Sequence, residues 1–73
     1  MRIRYTGRVN DGTTSYVVQA QAALGGGWVV VGRVTNISPG VWGARFPSGV
    51  WLGEYGRRSD AGTDLADHWY SHH

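Results

Sequence analysis

The sequence predicts an α+β domain: an antiparallel sheet of about five strands, an N-terminal hairpin plus a three-stranded meander, packed on one C-terminal helix. Three observations carry this. Apolar and polar residues alternate with a period of two through most of residues 2–55, as half-buried strands require. Gly- and Pro-bearing turn signals separate the alternating runs. Helical spacing appears only after residue 58. The chain reads as a single small domain, 1–73, with the hairpin over 1–24 and the meander plus helix over 28–70.

The elements follow in order. In Arg2–Val9, Ile3 and Tyr5 fall on one face; Arg2, Arg4, Thr6 and Arg8 fall on the other. Asn10-Asp11-Gly12 is a turn, because Asn and Gly accept positive φ at little cost. In Thr13–Leu24, Val18, Ala20, Ala22 and Leu24 alternate with Gln19, Gln21 and Ala23, which fits the return strand of a hairpin. A short helix capped by Ser15 and closed by Gly25 is the competing reading. Gly25-Gly26-Gly27 is too flexible for an element interior and reads as a loop. Trp28–Ile37 is a strand whose unbroken apolar start implies that both its faces are partly covered. Ser38-Pro39-Gly40 turns the chain into a second hairpin, Val41–Phe46 and Val50–Tyr55, joined by Pro47-Ser48-Gly49.

The helix opens near Ser59, a good N-cap, with Asp60 complementing the macrodipole in the first turn. Ala61, Leu65 and either His68 or Trp69 form its apolar stripe. Gly62 weakens it by about 1 kcal/mol relative to Ala, and Tyr70–His73 is expected to fray.

With 73 residues and no cysteine, the chain buries a small core and has no disulfide or thiolate metal site to support it. Four Trp, four Tyr and one Phe supply aromatic packing instead, or a surface for self-association. No apolar run reaches membrane-spanning length and no signal-type leader is present, so the expectation is a soluble, cytoplasmic protein without a membrane partner. All seven basic residues are Arg, which fits GC-rich coding in a bacterium or a phage. Residues 1–58 hold these seven Arg against Asp11 and Glu54, a balance of +5; residues 59–73 hold Asp60, Asp64 and Asp67, a balance of −3. A basic sheet backed by an acidic helix favours a polyanion on the sheet side.

Alternation also assigns the faces of the second hairpin. Trp42, Ala44 and Phe46 should look to the helix together with Val50 and Leu52. The other face should carry Val41, Gly43, Arg45, Trp51, Gly53 and Tyr55, with Arg33 beside them. Glycines there let another backbone come close. Arg33, Arg45 and Trp51 are therefore candidate nucleic-acid-binding residues, with Arg2, Arg4 and Arg8 as a second basic stripe. The plainer alternative has Trp51 and Tyr55 covered by the N-terminal hairpin or a second copy, and the Arg stripe guarding an edge strand.

Catalytic constellations are missing from the sequence. There is no nucleophile elbow, P-loop or dinucleotide fingerprint, and Gly25-Gly26-Gly27 lacks the Lys-Ser/Thr of a phosphate loop. Asp60 and Asp64 read as a solvated acidic face. His68 and His72, four apart, could share a metal with Asp64, against an exposed tail as the simpler account. The expectation is no enzyme, no cofactor and no metal.

Two stretches, Trp42-Gly43-Ala44-Arg45-Phe46 and Val50-Trp51-Leu52-Gly53-Glu54-Tyr55, followed by Ala61 and Leu65, resemble the APETALA/ethylene-response-factor DNA-binding domain of plants, over roughly residues 31–66. Phage integrase arm-binding domains and homing endonucleases carry related modules. The resemblance implies a three-stranded sheet on one helix, a small DNA-binding regulatory protein, double-stranded DNA as partner, and Trp51 with sheet arginines at the contact. The chain departs from the family at Gly49, where an Arg is usual, and in having only Arg33 in the first strand of the unit. Two alternatives stand beside this: a small interaction protein that binds and modulates a host protein with the same Arg–aromatic face, and a β-sheet homodimer that binds no nucleic acid.

Overall fold

The computed structural model describes residues 2–21 and 26–72. Five strands, β1 (Arg2–Asp11), β2 (Thr13–Gln21), β3 (Val29–Ser38), β4 (Val41–Arg45) and β5 (Trp51–Tyr55), precede one helix, α1 (Arg58–His72). They form a single antiparallel sheet in the order β1-β2-β3-β4-β5 with α1 on one face, the predicted α+β architecture. The part of the predicted second strand beyond Gln21, and Gly25, lie outside the described residues. Among the described residues no helix is long and apolar enough to cross a membrane.

Turns sit where the glycines are. Gly12, Gly40 and Gly49 have φ of 77°, 74° and 92°, conformations that a Cβ disfavours. At the last turn Phe46 N–H donates to the Val50 carbonyl and Gly49 N–H to the Phe46 carbonyl, both at 2.8 Å.

Every pair of neighbouring strands carries a β-bulge, and the bulges redistribute the faces. Between β4 and β5, Ala44 pairs with Gly53 and Arg45 with Trp51, so Leu52 is the extra residue. Strict alternation placed Gly53 and Tyr55 on the face of Trp51; the bulge turns both toward α1, where Tyr55 pairs with Trp42. Val50, expected in the core, lies in the turn and is 59% exposed. In β3, Val31 is the extra residue. It is buried while Val30 faces outward, so the apolar run reflects this bulge and not cover on both faces. In β1 the shift between Thr6 and Val9 takes Arg8 out of register with Arg2 and Arg4.

The core lies between the sheet and α1. Val18, Ala20, Val31, Val34, Ala44, Ala61, Leu65 and Ala66 are fully buried, and the rings of Tyr5, Tyr16, Trp42, Phe46, Tyr55 and Trp69 seal its margin. Small residues bring α1 close. A Cβ at Gly32 would stand 2.8 Å and 2.9 Å from the two methyls of Leu65. A Cβ at Gly62 would stand 2.9 Å from carbons of the Tyr5 ring. Gly62 is therefore the seat of Tyr5 as well as a weak helix former.

The helix begins earlier than Ser59. Ala61 N–H donates to the Arg57 carbonyl at 3.2 Å, which puts Ser59 inside the first turn. The start is fixed from the sheet: the Arg58 guanidinium lies 4.4 Å and 4.8 Å from the ring centres of Tyr5 and Tyr16, and Tyr5 Oη donates to the Arg58 carbonyl at 3.2 Å. At the other end the helix continues through His72, held by Trp69 against the core, where fraying from Tyr70 was expected. His68 meets Phe46 edge to face at 5.8 Å, and no metal-holding cluster occurs among the described residues.

Two predictions follow from this packing. Gly62→Ala should lower stability by about 1–3 kcal/mol by overpacking against Tyr5, although Ala is the better helix former. Chemical denaturation checks this, and an unchanged or raised midpoint contradicts the seat. The second concerns Tyr55, whose hydroxyl donates to Asp64. Burial first, then the Asp64 hydrogen bond and charge, push its pKa from 10.0 up to about 12. The folded state thus favours the neutral phenol. That contribution is whole below pH 10 and is lost as pH rises toward 12. Tyr55→Phe should flatten stability against pH in this window, read by circular dichroism; an equally steep fall in the variant sinks the assignment.

Candidate functional site

The candidate site is the face opposite α1. The N-terminal hairpin extends the sheet edgewise instead of folding over it, so no described element covers this face. The plainer alternative, Trp51 buried under that hairpin, does not occur: Trp51 is 43% exposed.

Register builds the site. Thr6, Val17, Arg33, Arg45 and Trp51 pair in turn across all five strands and form one row. Arg4, Gln19 and Val30 form the neighbouring row, with Arg2 opposite Gln21 beyond them. The structure therefore brings Arg33, Arg45 and Trp51 together at the centre and β5 edge. It places Arg2 and Arg4 on the same face toward β1. Arg8 is exposed in the distal hairpin, past the bulge, and does not join their stripe.

Arg33 and Arg45 are direct cross-strand neighbours. Their partners are neutral: Arg33 Nη1 reaches Ser15 Oγ at 3.5 Å, and Arg45 Nη1 donates to the Gly49 carbonyl at 3.0 Å. Like charges directly opposite in a sheet destabilise it. Arg4 is held the same way, with Nε donating to Gln19 Oε1 at 2.7 Å. The acids lie mostly elsewhere. Asp60, Asp64 and Asp67 are on α1, and Glu54 stands opposite Gly43 in the next row. The outer face thus concentrates positive charge at Arg2, Arg4, Arg33 and Arg45, with Glu54 the carboxylate of the row beside Trp51.

Aromatic rings sit among these charges. The Arg45 guanidinium lies 5.1 Å from the ring centre of Trp51. The six-membered ring of Trp51 lies over Gly43; a Cβ there would stand 2.8 Å from its Cζ3 and 2.7 Å from Cδ1 of Ile37. Gly43 is what allows the indole to lie across the strand, so the space expected to admit another backbone is filled by Trp51 and Ile37. Sequence reasoning missed a second such pair. Trp28 lies under the Arg4 guanidinium, 4.2 Å from ring centre to Cζ. Alternation hides it: counted back from Arg33 it puts Trp28 on the helix side, and only the extra residue Val31 turns Val30 and Trp28 outward. Between the two pairs is a shallow hollow of about 220 Å³, walled by Val17, Val30, Phe46 and Pro47 and flanked by Arg33 and Arg45.

No family model, curated protein or solved structure matches this chain.

If the Arg33–Arg45 juxtaposition stores repulsion, then Arg33→Gln should raise stability by roughly 0.2–1 kcal/mol. The gain should shrink as salt screens the pair. Denaturation midpoints at two ionic strengths check this; a destabilised variant at low salt shows that Arg33 is held for packing instead.

Proposed function

We propose that this protein is a small DNA-binding module that grips its partner with the open face of the sheet. One observation carries the reading: Arg33 and Arg45 stand side by side without a carboxylate between them, with Trp51 next in the row. A folded chain that keeps two like charges at paired positions on a solvent face gains when an anion arrives to neutralise both. Phosphates spaced along a backbone are such anions, and Arg presents the planar donor fork that suits them. Arg4 and Arg2 extend the footprint toward β1. The resemblance of Trp42–Phe46 and Val50–Tyr55 to the ethylene-response-factor sheet supports the same face and the same tryptophan.

A second reading rests on the exposed apolar residues beside those charges. Val30, Ile37 and Val50 are 42%, 44% and 59% exposed. Arg with aromatic and aliphatic surface is also the composition of a protein interface.

Fluorescence anisotropy with labelled DNA, a duplex and its separated strands, at low and physiological salt, separates the two. DNA binding through Arg33, Arg45 and Arg4 should weaken with salt, the log–log slope falling by about one on Arg45→Gln. Absence of binding to either form at low salt removes the DNA reading and leaves the protein interface.

A further inference from the structure

The form of DNA follows from the shape of the face. Five strands spaced about 4.8 Å apart span about 19 Å. A major groove is about 12 Å wide and admits a helix or a two-stranded ribbon. Arg4, Arg33, Arg45 and both outer-face tryptophans cannot all enter it together, because β1 and β2 continue the same sheet. The Trp51 ring, laid over Gly43, also presents its outward face. Paired bases in a duplex offer only edges, whereas unpaired bases offer π-faces that stack on aromatic side chains.

Resting on the DNA-binding reading above, we propose that the outer face is a platform for single-stranded nucleic acid. Trp28 and Trp51 each stack an unpaired base, and Arg33 and Arg45 hold the phosphates between them. Strand spacing and rise put the two tryptophans about 15 Å apart across the face. Each has a guanidinium at its ring, Arg4 at Trp28 and Arg45 at Trp51, which yields the ring face to the incoming base and turns to the phosphate beside it. The apolar floor of the hollow, Val17 and Val30, accepts the sugar edge of a strand lying flat, which a rigid duplex cannot press against it.

The test is a competition between a labelled single strand of about 12 nucleotides and the duplex of the same sequence. It uses the intact protein and its Trp28→Ala, Trp51→Ala and Trp28→Phe variants, each checked for folding by circular dichroism. The single strand should bind more tightly than the duplex, with a log–log salt slope near −2 for about three phosphates. Either alanine variant should lose roughly ten-fold on the single strand, while Trp28→Phe, which keeps a stacking ring, retains most of the affinity. Equal or tighter duplex binding, or full single-strand affinity in Trp28→Ala, overturns the platform and leaves DNA binding standing. Failure of both forms at low salt overturns the platform together with the reading beneath it.

Discussion

The close seating of α1 on the sheet is the constraint on which the rest depends. Leu65 drops onto Gly32, and the Tyr5 ring lies against Gly62, so helix and sheet meet at positions with no Cβ on one side. At that distance the interior can be filled by alanines and valines, and Leu65 is the largest side chain fully enclosed. Larger residues are left for the margin, where Tyr5, Tyr16, Trp42, Phe46, Tyr55 and Trp69 close the gap between layers. A chain with so small an interior gains from each ring that shields it. Arg58 completes the seal by lying against two of those rings and fixing the first turn of the helix.

Because one layer of helix satisfies the sheet, the opposite face is free of any packing duty. It carries a pair of arginines in register, and indoles laid across glycine or under a guanidinium. The bulges matter here as much as the strands. The extra residue Leu52 lets Trp51 look outward while Tyr55, four residues on, looks inward and reaches Asp64. One short strand thereby serves both the core and the site.

Much of this was legible from the residues. Period-two alternation, and for β3 an unbroken apolar run, located the five strands, the positive-φ turns fell at Gly12, Gly40 and Gly49, and Arg33, Arg45 and Trp51 were grouped on one face. What failed has one physical origin. Alternation assumes a regular ladder, and a single inserted residue reverses every assignment beyond it, as happened at Leu52 and Arg8. The seating of Leu65 over Gly32 was hidden as well, because it joins residues from distant parts of the chain. Gly62 was misjudged for the same reason: helix propensity is local, and its partner Tyr5 is in the first strand. Trp28 was overlooked because it opens an unbroken apolar run read as covered on both faces, and the insertion at Val31 that turns it outward leaves no mark in that run.

The sequential order of the strands bears on how the molecule is made. Each strand pairs with the one synthesised just before it, so the sheet can zip up through short loops with little closure entropy at any step. The helix that covers it is translated after all five strands. Until then the side of the nascent sheet bearing Val18, Val31 and Val34 faces water, a transient adhesive surface of the kind that invites wrong partners. The bulges between neighbouring strands bend and twist the ribbon during that interval, which hinders flat stacking of one unfinished chain on another.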